Sequence, residues 1–208
     1  MFRSAAVLSA LSFAVISASG ISTSLQEPGG EPTTKKESSR PERYEIDPVH
    51  STAIFRVGHL GISKFYGRFN LVKGTILFDE KNPGRSRAEI LVDAASLDTH
   101  DPKRDRHIKG PDFLDAKQFP VLRFVSTEVV LARPDSLRIR GKLEIHGVER
   151  EIRLDAVRTG RGEDPWGGYR CGFEARFRIK RSDFGMKFML GPVGDEVDII
   201  LSVEGIRK

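Results

Sequence analysis

Between Tyr169 and Ile179 the sequence alternates almost without exception. Tyr169, Cys171, Phe173, Ala175, Phe177 and Ile179 are apolar, Arg170, Glu174, Arg176 and Arg178 between them are charged, and Gly172 is the one neutral interruption. Side chains of an extended chain point alternately to its two faces, so this stretch is a strand with one wet and one dry face. Strands of a parallel sheet are covered on both sides and read as unbroken apolar runs, which places this one in an antiparallel sheet. Its dry face needs a cover. The cover is either a second sheet, or the same sheet closed on itself around a filled core or a cavity.

The same pattern recurs along the chain. Ser51 to Val57 reads as a strand, His59 to Ser63 interrupts it, and an extended pattern resumes at Phe65 and runs to Phe78, before Asn82-Pro83-Gly84 turns the chain. Ala88, Ile90 and Val92 share one face of the next strand, and Val121 to Leu131 forms another. Leu137, Ile139, Leu143 and Ile145 alternate with Arg138, Arg140, Lys142, Glu144 and His146. A short connection at His146 to Glu149 leads into Glu151 to Val157, and Val197, Ile199, Leu201 and Val203 close the chain. The expectation is one all-β domain of about eight antiparallel strands. One segment departs from it: Asp101 to Ala116 opens with Pro102 and a polar run ahead of Phe113 and Leu114, which suits a short helical excursion across one end of the sheet. A closed sheet of about eight strands is just wide enough for a side-chain core or one elongated small ligand, and periodicity alone leaves barrel and sandwich equally open.

The chain ahead of this domain differs in composition. Residues 1–20 have Arg3, an apolar or small run from Ala5 to Ile16 and then Ser17-Ala18-Ser19-Gly20, the order of a secretory signal peptide. The run is shorter than the roughly 20 residues of a spanning helix. Residues 21–43 are rich in Ser, Thr, Gly, Pro, Glu and Lys and read as a flexible linker to a domain spanning 44–208. The export reading gives a periplasmic or secreted protein. Cys171 is the single cysteine of the 208 residues and lies on the dry face, so the fold rests on its core with no intramolecular disulfide.

Polar constellations are sparse. Asp47, His50 and Ser51 have the residue types of a hydrolase triad, but neighbours on a strand point to opposite faces and share no proton. His59, His100, His107 and His146 lack metal-ligand spacing, so neither a metal nor another cofactor is expected. The formal net charge is +5, and Arg138, Arg140, Lys142, Arg170, Arg176, Arg178 and Lys180 sit on wet faces. Nucleic-acid binding would interleave exposed aromatics with this charge, whereas here the aromatics alternate inward, so transient docking to an anionic membrane surface fits better.

The successive motifs resemble those of the YceI-like proteins. They are Tyr44-Glu45-Ile46-Asp47-Pro48-Val49-His50-Ser51, Val57-Gly58-His59, Gly67-Arg68-Phe69, Ala95-Ser96-Leu97-Asp98-Thr99, Arg104-Asp105-Arg106-His107, Asp112-Phe113-Leu114-Asp115-Ala116, Phe119-Pro120, Gly141 to Val148 and Arg181-Ser182-Asp183-Phe184-Gly185-Met186. The resemblance runs from about Tyr44 to Ile206. It implies an eight-stranded antiparallel lipocalin-like barrel, exported to the cell envelope, that holds a polyisoprenoid or similar long apolar lipid such as an isoprenoid quinone or fatty amide, as a non-catalytic carrier or storage protein. The relation to true lipocalins is architectural, since their early Gly-x-Trp is missing and Trp166 lies in a late loop.

The residues expected to line such a site are Phe55, Phe69, Phe78, Phe124, Phe173, Phe177 and Met186, with Phe113 and Phe119 as a lid. The competing reading is an enzyme acting on an isoprenoid- or quinone-like molecule inside the barrel, with His59 or the Asp105 and His107 pair as acid-base groups. Whether the barrel works alone or as a homodimer is left open.

Overall fold

The computed structural model describes residues 40–208; the signal-peptide reading and most of the linker, residues 1–39, lie outside the described residues. Among the described residues the strands in chain order are β1 (Glu42–Ile46), β2 (Thr52–His59), β3 (Ser63–Phe69), β4 (Val72–Phe78), β5 (Arg87–Asp93), β6 (Leu97–Asp98), β7 (Val121–Arg133), β8 (Ser136–Ile145), β9 (Val148–Glu163), β10 (Tyr169–Lys180) and β11 (Val193–Arg207), with one α-helix, α1 (Pro102–Ile108), between β6 and β7. All strand pairings are antiparallel, and the pairing of β1 with β11 closes the sheet into a barrel.

Eleven strands make eight staves because three staves are interrupted. β1 and β2 pair successively along one edge of β11, Ile46 opposite Gly205 and Thr52 opposite Ser202. β3 and β4 then pair with β2 and β1, and β6 and β5 with β3 and β4. The breaks are stitched rather than open. Asp47 N–H donates to the Glu204 carbonyl across the first, and at the second Asn70 N–H reaches the Ser96 carbonyl while Leu71 N–H reaches Ser96 Oγ. The extended run expected from Phe65 to Phe78 is therefore two strands, parted at Asn70-Leu71. β1 also begins at Glu42, two residues inside the stretch whose composition reads as linker. From β7 onward the chain is a plain meander, joined at β8–β9 by His146 and Gly147 with φ of 53° and 70°, the left-handed pair that a two-residue hairpin requires.

The barrel ends differ. At the far end Tyr44 and Cys171 are 0% and 1% exposed, and Tyr44 donates its hydroxyl to Glu42 Oε2 at 2.7 Å. Burial, reinforced by that carboxylate, pushes the Tyr44 phenol well above its usual range. Burial likewise raises the Cys171 thiol to about 11, so at neutral pH it is an inert apolar side chain.

At the other end, termed the mouth, β6 is only two residues long and the chain leaves it for α1. The helix starts as the sequence predicts: Asp101 Oδ1 accepts the Arg104 N–H at 2.8 Å and Pro102 follows in the first turn. Thr99 fastens it to β6. The Thr99 hydroxyl donates to Asp105 Oδ1 at 2.5 Å, and Arg104 donates through Nη2 to the Thr99 carbonyl.

Candidate functional site

Alternation turns one side chain in two toward the barrel axis, and those inward residues leave two adjoining spaces. The inner cavity, about 140 Å³, is walled by apolar side chains, among them Phe69, Phe78, Phe124, Phe173 and Phe177 with Ile139, Leu143 and Leu154. Phe78 and Phe173 meet edge to face at 5.4 Å toward the far end. Room exists at the middle because the inward positions there are small: Ala175 lies opposite Ala156 across β10 and β9, and Ala53 lines the same space. Close approach of rings to backbone also shapes it. The Phe55 and Phe124 rings lie where a Cβ at Gly67 or Gly141 would stand, 2.4 and 2.5 Å from the nearest ring atom. An apolar space of this size stays dry and favours an apolar guest.

The outer cavity, about 500 Å³, adjoins it through Phe55, Phe69, Leu122, Ile145 and Ile199, which line both. α1 and the turns after it form one side, through Ile108, Phe113 and Leu114. His107, Phe113 and Phe188 make a mutual edge-to-face cluster with ring centroids 5.2 to 5.6 Å apart. Polar residues gather here: His59, Ser63, Lys64, Arg104, His107 and Arg181 join the lining, whereas Ser86 and Arg87 are the polar residues that border the inner cavity. The whole is an apolar bore with a polar, solvent-facing mouth.

The aromatic set expected to line the site is largely brought together. Phe55, Phe69, Phe78, Phe124, Phe173 and Phe177 line the inner cavity, and Phe113 and Met186 the outer one. Phe119 is a correction. Its ring lies against Gly147 and 5.0 Å from the His146 ring, so it covers the β8–β9 turn and lines neither cavity. The Asp105 and His107 pair is a second correction. Asp105 is held by Thr99, while His107 Nε2 lies 2.9 Å from Asp112 Oδ2.

The outward positive charge is a third. Arg138 lies 3.6 Å from Asp155, Lys142 2.9 Å from Glu149, Arg176 2.8 Å from Glu174, and Arg178 2.9 Å from Glu196. Arg140 sits between Glu128 and Glu151. Carboxylates on the same and neighbouring strands thus pair most of these side chains locally, while Lys180 is exposed and forms no ion pair among the described residues.

Periodicity gives no hint of Arg181, which is 4% exposed at the end of β10. It donates to the carbonyls of Met186, Phe188, Val193 and Gly194 at 2.8 to 2.9 Å, and so ties down the loop that forms one lip of the outer cavity. Burial holds its guanidinium below the usual range, with Asp195 nearby opposing. Asp195 itself accepts both the Ser182 N–H and the Ser182 hydroxyl.

Asp47, His50 and Ser51 fall in a turn between β1 and β2, not on a strand, and line neither cavity. His50 Nδ1 lies 2.8 Å from Asp47 Oδ2, but Ser51 Oγ accepts the Glu204 N–H, so no triad assembles. Asp47, His50 and Glu204 offer ligand atoms within 4.8 Å of one another, yet the Arg170 guanidinium already bridges the two carboxylates, 2.8 Å from Asp47 and 2.5 Å from Glu204. This is an ion-pair network, with the second face of Arg170 on Asp164.

The His50 contact, then Arg170 and the Val49 N–H, outweigh burial and hold the Asp47 carboxyl at about 2 against its ordinary 3.8. A carboxyl depressed in the fold stabilises above its unfolded value and loses that contribution as pH falls through the folded one. Urea midpoints are therefore expected to drop between pH 3.8 and about 2, and Asp47→Asn to flatten that part of the profile.

Comparison with known proteins agrees with this architecture. The chain is 45% identical over 167 residues to a UPF0312 protein of Pseudomonas aeruginosa and 43% identical over 167 residues to protein YceI of Escherichia coli O157:H7, covering 79% of this chain and 87% of each relative. Among solved structures, the Campylobacter jejuni YCEI protein superposes with TM-score 0.66 at 29% identity, covering 73% of this chain and 90% of that one. A polyisoprenoid binding domain from Saccharophagus degradans superposes with TM-score 0.62 at 17% identity, over 79% of this chain and 98% of that one, a likeness of fold. With the YceI-like domain profile matching residues 44–205 and relatives 43–45% identical across 87% of their length, the chain belongs to the YceI-like family.

Proposed function

We propose that the protein is a non-catalytic carrier or storage protein of the bacterial cell envelope that takes a long apolar chain, a polyisoprenoid or isoprenoid quinone, into its bore. The observation that carries this reading is the pair of adjoining cavities: a dry apolar inner one reached from an outer one whose polar groups gather at the mouth. Such a division suits a ligand with a long hydrocarbon tail and a small polar head. Each buried methylene contributes about 0.8 kcal/mol, so affinity can come from the bore with no polar recognition inside it. The name of the Saccharophagus degradans domain adds weight to the choice of polyisoprenoid, and the leader-like residues 1–20 support export. His59 and His107 reach only the outer cavity, where they can meet a head group but not the tail.

Mass spectrometry of the organic extract from protein purified without detergent tests the proposal. A long-chain prenyl lipid in molar amount is the expected result. An extract free of apolar chains, together with no uptake of added polyprenol, would contradict it.

A further inference from the structure

The mouth of the barrel has an exterior that folding alone does not explain. Leu60 and Ile62, at the tip of the β2–β3 hairpin, are 54% and 84% exposed, and Phe188, Met189 and Leu190 on the neighbouring loop are 40–45% exposed. The two tips are one surface, since the Leu60 N–H donates to the Pro192 carbonyl at 2.6 Å. Backbone conformation makes the choice of residues more telling. Leu60 has φ 55° and Met189 φ 51°, left-handed values for which exposed turns ordinarily use Gly, Asn or Asp. Apolar side chains therefore stand in solvent at two positions where they also strain the backbone.

Basic side chains stand beside these tips. Lys64 and Lys187 are exposed and form no ion pair among the described residues, whereas Arg138, Arg140, Arg176 and Arg178 of the wall each lie within 4 Å of a carboxylate. Of the acidic groups at this end, Asp112 contacts His107, Asp105 is held by Thr99 and Asp195 by Ser182, while Asp183 is exposed.

We infer that the mouth rim, formed by the Leu60–Ile62 tip and the Phe188–Leu190 loop with Lys64 and Lys187 beside them, is a docking face for an anionic bilayer. The apolar tips enter the headgroup boundary while the lysines meet lipid phosphates, the arrangement that interfacial membrane binders use. The inference rests on the cavity being a lipid site: a mouth seated on the bilayer lets an apolar tail pass from membrane to bore without crossing water.

Co-sedimentation with phosphatidylcholine vesicles, with and without phosphatidylglycerol, tests it on the full mature chain. The wild type is expected to bind the anionic vesicles and to be released by added salt. The variant Leu60→Asn/Ile62→Ser, whose new residues suit the turn and touch neither cavity, is expected to bind at least about tenfold more weakly, and Lys187→Gln to weaken the salt-dependent part. Polyprenol uptake from detergent micelles is measured in parallel. If the variants take up polyprenol normally and lose vesicle binding, the docking face stands; if they sediment as the wild type does, it is overturned. A wild type that takes up no polyprenol overturns the cavity reading separately, whatever the vesicles show. Self-association of the wild type that disappears in the Leu60→Asn/Ile62→Ser variant, without vesicle binding, would make the rim an interface between copies and overturn the docking face too.

Discussion

Arg181→Met is expected to destabilise the protein by on the order of 3–5 kcal/mol, because four backbone carbonyls lose a charged donor at a site where water cannot replace it. For a domain of this size that corresponds to a fall in melting temperature of roughly 6–20 °C. The loss is local in origin. The carbonyls belong to Met186, Phe188, Val193 and Gly194, so hydrogen exchange should show the segment from Met186 to Gly194 opening well before the barrel staves. Arg181→Lys supplies one compact ammonium for a planar fork and should recover only part of the stability. A change below about 1 kcal/mol in Arg181→Met would mean that the loop holds itself.

Ala175→Phe should leave the fold standing and disable the inner cavity. Ala175 is 6% exposed, faces Ala156 across the β9–β10 pair, and borders a space of about 140 Å³ into which a ring can project. Filling it removes room for about one isoprene unit, whose burial is worth on the order of 4 kcal/mol before ordering costs. Affinity for a long polyprenol should then fall on the order of a hundredfold, while a short prenol confined to the outer cavity binds nearly as before. Melting temperature should hold or rise, since the ring occupies empty space instead of displacing neighbours. Phe173→Ala makes a poorer test. That ring packs edge-on against Phe78, so its loss costs roughly 3–5 kcal/mol of stability and mixes unfolding with lost binding.

Much of the barrel is legible in the sequence because its longest strands are two-sided. The alternation through Tyr169 to Ile179 and Leu137 to Ile145 sets which residues face inward, and Phe173, Phe177, Leu143 and Ile145 all line the bore. The interrupted staves were harder to read. β1 is five residues long and β6 two, too short for a period to emerge, and the breaks at Asp47 to Ser51 and Asn70-Leu71 are held by contacts from distant strands. Choosing barrel over sandwich required the family resemblance, because both architectures bury the same inward set.

The misplaced residues share a cause. Phe119 follows the helical excursion without any repeat to orient it, and only the fold brings Gly147 beneath its ring. Arg138 and Arg178 look like surplus charge along one strand, but their partners Asp155 and Glu196 are cross-strand neighbours. Arg181 breaks the expectation that a charged residue faces water, and its acceptors are backbone atoms that no residue pattern records. Alternation turns Ala175 inward, but that it and Ala156 hollow the bore follows only from their standing opposite each other across β10 and β9.

The central claim is that inner and outer cavities act as one apolar bore, and affinity as a function of ligand length tests it most directly. Titration of a graded series of prenols into the delipidated protein should give affinity that climbs with each added isoprene unit and then levels off once the inner cavity is filled. Affinity that does not change with chain length, or no binding at any length, would contradict the claim and leave the interior a packed core.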